Sequence, residues 1–250
     1  MTQQRKILVR SDLEELSREA ANLFVDFAQR SFGERDRFAV ALSGGSTPRT
    51  LHTILSSDAY RETIDWRSVK FFFGDERNVP ADSPDSNYRM AYETLLEPLG
   101  IGPDQAVRWR TEIGPELAAE EYQKELRANG PLDLVILGLG SDAHTASLFP
   151  NTPALKESDL LATVNWIEKL NEFRLTMTFP AINQANVMFL VAGCDKAQAV
   201  VNVIEGDDKL EEFPAQGVRP HGKQIHWLLD QPAAGLLVQR DNLLLTAAET

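Results

Sequence analysis

The sequence predicts an α/β fold in which a mostly parallel, doubly wound sheet carries helices on both faces, as in Rossmann-like domains. Short apolar runs alternate with amphipathic helical segments along the chain, and this alternation is typical of successive βαβ units. Runs such as 38–42, 69–73 and 132–137 are apolar at nearly every position, as expected of strands buried on both faces. Because the connections are short and no repeat or linker interrupts them, residues 1–250 are predicted to form a single domain.

Each predicted strand is a short apolar or alternating run that is bounded by turn residues. In chain order these runs cover 7–9, 38–42, 69–73, 107–109, 132–137, 160–164, 173–179, 187–193 and 225–229. Most are continuous apolar runs, whereas 173–179 alternates with the period of two that a strand requires.

Helical segments fill the intervals, and their apolar residues recur every three or four positions. Ser11 followed by Glu14 has the pattern of a capping box, and Pro48 suits the first turn of the second helix. In chain order, helices are predicted to start at Ser11, at Ser46 or Thr47, near Tyr88, and at Glu116, Pro180 and Asp195, with a last one near Asp230 and Pro232.

Composition excludes several functional classes. The 250 residues are 43% hydrophobic and 25% charged, with a net charge of −12 and one cysteine. An acidic chain is a poor candidate for nucleic-acid binding, and no apolar run approaches the roughly 20 residues that span a bilayer. One cysteine cannot form an intramolecular disulfide, and the N-terminus lacks a signal-peptide pattern. We expect a cytoplasmic protein without nucleic-acid or membrane partners, either a monomer or a homodimer.

The segment 138–150, which follows the apolar run 132–137, contains the strongest candidate for catalysis. Asp142 and His144 stand one residue apart in this glycine-containing loop. A histidine at a strand end is well placed as a general base, since imidazole titrates near neutral pH. The alternative is that His144 only hydrogen-bonds within the loop.

Other polar groups also follow predicted strands, and in an open parallel sheet ligands bind at the carboxyl ends of the strands. Ser43, Gly44, Gly45, Ser46 and Thr47 form a small-residue loop that enters a helix. Free N–H groups and the helix dipole would suit a phosphate there, although an ordinary helix cap explains the same residues.

Charged groups stand at two further strand ends. Arg77, in the triplet with Asp75 and Glu76, could clamp a phosphate or carboxylate, while a surface charge cluster is the alternative. Lys196 begins a helix, where the dipole disfavours a cation unless an anion is near, although a solvated lysine is equally plausible. Cys194 is interpreted as a small packed residue. No histidine spacing indicates a metal site.

Taken together, these stretches resemble the 6-phosphogluconolactonase family. The resemblance runs in order from about residue 38 to 235, and the ordered set is much more specific than any single piece. Its motifs are Ser43–Pro48, Gly74–Arg77 with Val79–Pro80 and Ser86–Asn87, Gly138–Pro150, Arg174–Thr176, Pro180–Asn183, Gly193–Ala197, Pro214–Ala215, Trp227 and Asp230.

The resemblance implies hydrolysis of 6-phospho-D-glucono-1,5-lactone in the pentose phosphate pathway, without a metal or organic cofactor. His144 matches the family histidine that deprotonates water, and Asp142 and Asp75 match acids that orient that histidine or the sugar. The positions matching those around the phosphate and the ring are Ser43, Gly44, Gly45, Ser46, Thr47, Arg77, Arg174 and Lys196. The partner would be a small phosphorylated lactone.

Two features depart from this pattern. The family loop usually has glycine before the histidine, whereas this chain has Ala143. If that position requires a positive φ, alanine costs roughly 1 kcal/mol or more. Arg174 lies at the start of its predicted strand, so the strand-end rule brings it to the site only if that strand is antiparallel.

Two rival functions remain. Glucosamine-6-phosphate deaminase resembles this chain in its fold and loops, but its histidine loop continues toward Phe-Asn-Glu-Pro rather than Ala146–Pro150. A non-catalytic sugar-phosphate sensor would keep the binding loops without needing His144. Such sensors usually carry a DNA-binding domain, for which this length leaves no room.

Overall fold

The computed structural model describes residues 5–238, and its centre is a six-stranded sheet whose neighbouring strands all run parallel. The strands are β1 (Arg5–Arg10), β2 (Phe38–Leu42), β3 (Val69–Phe73), β4 (Asp75–Arg77), β5 (Leu134–Leu137), β6 (Ala162–Ile167), β7 (Glu172–Met177), β8 (Asn186–Val191) and β9 (Ile225–Asp230). The parallel sheet has the order β1-β9-β8-β5-β2-β3. The predicted α/β class with a mostly parallel sheet is therefore confirmed.

Helices follow β1, β2, β4, β7 and β8, as the predicted alternation requires, whereas β3 to β4 and β5 to β7 are joined without an α-helix. The helices are α1 (Leu13–Arg35), α2 (Ser46–Leu55), α3 (Asp58–Arg61), α4 (Asn87–Ala91), α5 (Pro115–Asn129), α6 (Phe179–Ile182) and α7 (Ala197–Ile204). The path from β2 to β3 and the path from β8 to β9 run in opposite directions across the sheet. Because such crossovers are right-handed, α2 and α7 lie on opposite faces. Among the described residues, no helix combines the length and the apolar character that crossing a membrane requires.

The reversal of strand order falls between β2 and β5, which are neighbours in the sheet. From β2 the chain continues to β3 on one side, and from β5 it continues to β8 on the other. Loops that leave the carboxyl ends of such a pair diverge and open a crevice between them, which is where open α/β sheets bind ligands. The two loops here are 43–45 and 138–150, so the fold brings together the two segments that the sequence favours most.

A second, three-stranded antiparallel sheet of order β4-β7-β6 was not anticipated from the sequence. The chain leaves the parallel sheet at Gly74, whose N–H donates to the Leu42 carbonyl and whose carbonyl accepts from Met177. Asp75 then pairs with Thr176, and Arg77 pairs with Arg174. The triplet after the third strand is thus the edge strand of a separate sheet, built largely from residues 162–177.

Buried aromatic side chains fix the end of β3, from which this second sheet starts. The Tyr122 hydroxyl accepts from the Phe73 N–H at 2.7 Å and donates to the Phe73 carbonyl at 2.9 Å. Trp109 stacks on Tyr122 with a centroid distance of 3.7 Å and donates its indole N–H to the same carbonyl. Burial raises the pKa of Tyr122, so its hydroxyl stays protonated and can serve both roles.

Several element ends differ from the prediction. Asp12, not Ser11, caps α1, because its carboxylate accepts from the N–H groups of Glu14 and Glu15. Residues 107–109 form no strand, since the contact there is a single bridge between Phe71 and Ala106. Residues 231–236 are turns instead of the predicted final helix, and any continuation past residue 238 lies outside the described residues.

The interpretation of Cys194 as a packed residue is wrong, because the side chain is exposed. It lies in the 3₁₀ turn Cys194–Lys196, which follows Gly193 with φ of 101°. That left-handed glycine turns the chain away from the sheet as soon as β8 ends, so the next side chains face solvent.

Candidate active site

A cleft lies over the β2–β5 reversal, at the strand ends where open α/β sheets bind ligands. Its wall is formed by residues from the ends of β2, β4, β5 and β8. They are Ser43, Gly44, Asp75, Arg77, Asn87, Gly138, Leu139, Gly140, His144, Thr145, Ala146 and Lys196. Six of the predicted site residues, Ser43, Gly44, Asp75, Arg77, His144 and Lys196, therefore meet in one cleft.

Asp142 lies behind His144 and binds its ring. Oδ1 of Asp142 is 2.5 Å from His144 Nδ1 and also accepts from the His144 backbone N–H at 3.2 Å. Burial raises the pKa of Asp142, but hydrogen bonds from His144 and Lys169 outweigh this and hold the pKa well below its usual range. An ionised Asp142 fixes the proton of neutral His144 on Nδ1 and leaves Nε2 as the proton acceptor.

Gly140 makes room for this pair. A Cβ at Gly140 would lie 2.0 Å from Nδ1 of His144 and 2.6 Å from Oδ1 of Asp142. The left-handed residues of the loop are instead Ala143 at φ 61° and Ala146 at φ 47°, and Asn151 at φ 58° directly follows the loop. The position before His144 therefore does require a positive φ, and Ala143 occupies it at a cost of roughly 1–2 kcal/mol.

The small antiparallel sheet holds the far end of the histidine loop through Ser147. The Ser147 hydroxyl donates to Oδ2 of Asp75 at 2.6 Å, and the Ser147 N–H donates to the Thr176 hydroxyl at 3.2 Å. Its carbonyl accepts from the Asn165 amide at 2.9 Å. Asp75 thus binds the loop and not the imidazole, which separates its contacts from those of Asp142.

Asn87 is a wall residue that the strand-end rule does not predict, although Ser86–Asn87 belongs to the motifs of the family resemblance. Its amide donates to the backbone carbonyl of Asp75 at 3.0 Å and to Oδ1 of Asp75 at 3.2 Å. A Cβ at Gly44 would lie 1.8 Å from the Asn87 Oδ1. Gly44 is therefore required so that Asn87 can reach Asp75 across the cleft.

Glu76 points to the opposite side of β4 and anchors α4. This carboxylate is 3% exposed. Its oxygens accept from four donors, which are the N–H groups of Arg77, Asn87 and Tyr88 and the Ser86 hydroxyl. Burial raises the pKa of Glu76 against the opposing effect of these hydrogen bonds. Glu76 has a structural role, since it ties the start of α4 and its Asn87 to the strand that carries Asp75 and Arg77.

The loop after β2 reaches the cleft only with its first two residues. Ser43 and Gly44 line the wall, whereas Gly45, Ser46 and Thr47 lie beyond it. The helix α2 begins at Ser46, one of the two predicted starts, but its N-cap is Gly45 with φ of 108° and neither Ser46 nor Thr47 caps it. Gly45 makes no side-chain cap, so the first N–H groups of α2 are available to an anion beside the cleft.

Two cations, Arg77 and Lys196, line the cleft, and a third, Arg174, lies on the strand beside Arg77. Arg77 donates to the Asp85 carbonyl at 2.5 Å, and Lys196 lies 3.2 Å from Asp195. Arg174 is directly opposite Arg77 on the antiparallel partner strand and forms an ion pair with Glu172. It does not line the cleft wall. The strand is antiparallel, which was the condition for Arg174 to approach the site.

Comparison with known proteins agrees with this geometry. The sequence pattern of the family described as glucosamine-6-phosphate isomerases/6-phosphogluconolactonase matches residues 11–227. A 6-phosphogluconolactonase of Synechocystis sp. is 40% identical over 214 residues, which cover 82% of this chain and 86% of the relative.

Solved structures give the same result for the fold. A 6-phosphogluconolactonase from Trypanosoma brucei superposes with a TM-score of 0.85 at 31% identity, covering 95% of this chain and 100% of that one. A monomeric glucosamine-6-phosphate deaminase superposes with a TM-score of 0.80, covering 92% and 99% of the two chains, at 22% identity. At that identity the second likeness shows a shared fold alone.

Proposed function

The chain belongs to the family of glucosamine-6-phosphate isomerases and 6-phosphogluconolactonases, and we propose that it hydrolyses 6-phospho-D-glucono-1,5-lactone to 6-phospho-D-gluconate by general-base catalysis. The lactonase branch is favoured because the relative at 40% identity carries that name. The observation that carries the mechanism is the His144–Asp142 pair in the wall of a cleft bordered by cations. A cytoplasmic location remains a prediction.

His144 acts as the base in this mechanism. Its Nε2 takes a proton from water as the water oxygen attacks the lactone carbonyl, and Asp142 stabilises the imidazolium that forms. The same imidazolium can then protonate the ring oxygen as the ester bond breaks. A positioned base typically contributes about 10²–10⁴-fold to such a reaction, which suits a lactone because it is an activated ester.

The phosphate would be held by positive groups on the other side of the cleft. Arg77 and Lys196 line the wall, and the start of α2 adds its N–H groups. Arg77 and Arg174 are directly opposed across two strands, and two like charges in that relation repel one another. Glu172 already offsets the charge of Arg174, so Arg77 is the member of this pair that is suited to bind a phosphate.

Asp75 is suited to accept hydrogen bonds from sugar hydroxyls, because it lines the cleft while Ser147 and Asn87 fix its orientation. The oxyanion that forms at the lactone carbonyl must be stabilised by other hydrogen-bond donors. The N–H groups of Gly140, Ala143, His144, Ser147 and Leu148 already have acceptors within the protein. Leu139 and Ala146 also line the cleft, and their N–H groups are candidates to donate to the oxyanion.

The proposal is tested by pH-stat hydrolysis of freshly prepared 6-phosphogluconolactone, with spontaneous hydrolysis subtracted. His144→Ala is expected to lower kcat by about 10²-fold or more, since the base is lost while the cleft remains. His221→Ala is the matched control, because His221 is exposed in a turn, and its kcat is expected to equal that of the wild type.

Two results would contradict the proposal at different points. Fast turnover by His144→Ala would keep the reaction and reject His144 as the base. No lactone turnover by the wild type, together with ammonia release from glucosamine 6-phosphate, would reject the lactonase in favour of the deaminase.

A further inference from the structure

Lys169 touches the catalytic pair from outside the cleft. It lies in the 3₁₀ turn Glu168–Leu170 that joins β6 to β7, and its ammonium forms an ion pair with Oδ2 of Asp142. Oδ1 of the same carboxylate binds His144. Each oxygen of Asp142 therefore has its own partner, which is Lys169 for Oδ2 and His144 for Oδ1.

Phe149 holds Lys169 in this position. The Lys169 ammonium lies 4.7 Å from the centroid of the Phe149 ring, a favourable cation–π distance. Phe149 in turn stacks on the His144 imidazole at 4.0 Å with an interplanar angle of 20°. The four side chains form a closed ring of contacts, in which the cation is held beside the base by two independent interactions.

We propose that Lys169 is a positioning residue, which fixes the Asp142 carboxylate against His144 and offsets part of its negative charge. Asp142 alone would strongly favour the imidazolium, and a protonated histidine cannot accept a proton from water. A cation on the far oxygen offsets part of this attraction. The proposal rests on the proposed role of His144 as the base.

An ordinary surface ion pair would not have this effect. Lys209 and Glu212 form such a pair, 3.5 Å apart, with side-chain exposures of 49% and 58%. Lys169 is similarly exposed at 53%, but its partner Asp142 is exposed only 30% and binds His144 as well. Removing the charge of Lys169 therefore changes the electrostatic potential at the His144 imidazole, whereas removing the charge of Lys209 does not.

Other charges also face the pair. The cleft that contains His144 is also lined by Asp75 and Arg77 on β4 and by Lys196 before α7. A neighbouring groove is lined by Glu168 together with Asp142 and Lys169. All of these stay in place when Lys169 is replaced. Oδ2 of Asp142 loses its partner, while Oδ1 keeps its two bonds to His144. The loss of the cation is thus the dominant change.

The test compares Lys169→Met, Lys169→Arg and Lys209→Met with the wild type. The imidazole of His144 is titrated by NMR, with its signal assigned by its loss in His144→Ala, and kcat/KM is measured against pH. In Lys169→Met the midpoint of the NMR titration and the midpoint of the acid limb of kcat/KM are both expected to rise by about half a pH unit or more. This lowers kcat/KM about threefold on the acid limb, while KM and the alkaline plateau change little. Lys169→Arg and Lys209→Met should match the wild type.

An unmoved or lowered midpoint in Lys169→Met would overturn the proposal, as would equal shifts in Lys169→Met and Lys209→Met. A raised KM without a shift would make Lys169 a substrate-binding residue instead. The NMR titration needs no turnover, so it tests Lys169 even if lactone hydrolysis fails. A wild type without lactonase activity that still shows the shift would reject the proposed reaction and keep the influence of Lys169 on His144.

Discussion

The two sheets of this protein differ in burial and in what they do for the cleft. In the parallel sheet every residue of β2, β5 and β9 is buried. In the antiparallel sheet burial is mixed, with Trp166 and Phe173 exposed. The face of this smaller sheet toward the histidine loop is polar, carrying Asp75, Asn165 and Thr176.

The two sheets therefore contribute to the cleft in different ways. The parallel sheet gathers loops that are about a hundred residues apart in the chain, and it does so by burying apolar side chains. The antiparallel sheet buries less but supplies three directed hydrogen bonds to Ser147, which orient the loop that carries His144. Changes in the first sheet should affect mainly stability, and changes in the second should affect mainly catalysis.

The largest expected effect is on the free energy of unfolding, when a phenylalanine of the parallel sheet is replaced by alanine. A phenylalanine of the antiparallel sheet provides the comparison. Phe189 on β8 is 0% exposed and stacks on Trp227 at 3.9 Å, so Phe189→Ala should lower the free energy of unfolding by about 3–5 kcal/mol. Phe173 on β7 is 37% exposed, and Phe173→Ala should cost less than about 1 kcal/mol. Urea denaturation measures both, and equal losses would contradict the division of roles.

A smaller effect, mainly on catalysis, is expected from Ser147→Ala. Without the hydroxyl, Asp75 loses a donor at 2.6 Å. We expect kcat/KM to fall about tenfold, which corresponds to about 1.4 kcal/mol, and stability to fall by about 1 kcal/mol, the lower end for an unsatisfied carboxylate. Ser68→Ala is the control, because it removes an exposed bond of 3.0 Å to Asp65 just before β3 and should leave kcat/KM unchanged. If both variants keep wild-type kcat/KM, the small sheet does not orient the site.

The smallest effect is expected from Ala143→Gly. Relief of the left-handed φ is worth about 1–2 kcal/mol, but lost methyl burial costs about 0.8 and added freedom of the unfolded chain costs about 0.4–1. The free energy of unfolding should therefore stay within about 1 kcal/mol of the wild type. Ala199→Gly in α7, equally buried but helical, should cost about 1–2 kcal/mol. Similar losses in both variants would show that Ala143 stores no strain.

Much of the parallel sheet could be predicted from the sequence because its signal is local. Strands 38–42 and 69–73 have the predicted bounds, since a continuous apolar run between turn residues is visible within a few positions. The rule that ligands bind at strand ends then selected Ser43, Asp75, His144 and Lys196, which the cleft brings together. No such local pattern indicated that Asp75 starts an edge strand, because its partner, Thr176, is about a hundred residues away.

By itself the sequence determined the class of fold, the order of its elements and the loops that carry polar groups, because hydrophobic periodicity and turn chemistry act over a few residues. Only the tertiary structure decided that Asp75 binds Ser147 and not the imidazole, that Asn87 requires Gly44, and that Lys169 reaches Asp142. These contacts join segments distant in the chain, and their geometry depends on how two sheets pack together, which no short stretch of sequence encodes.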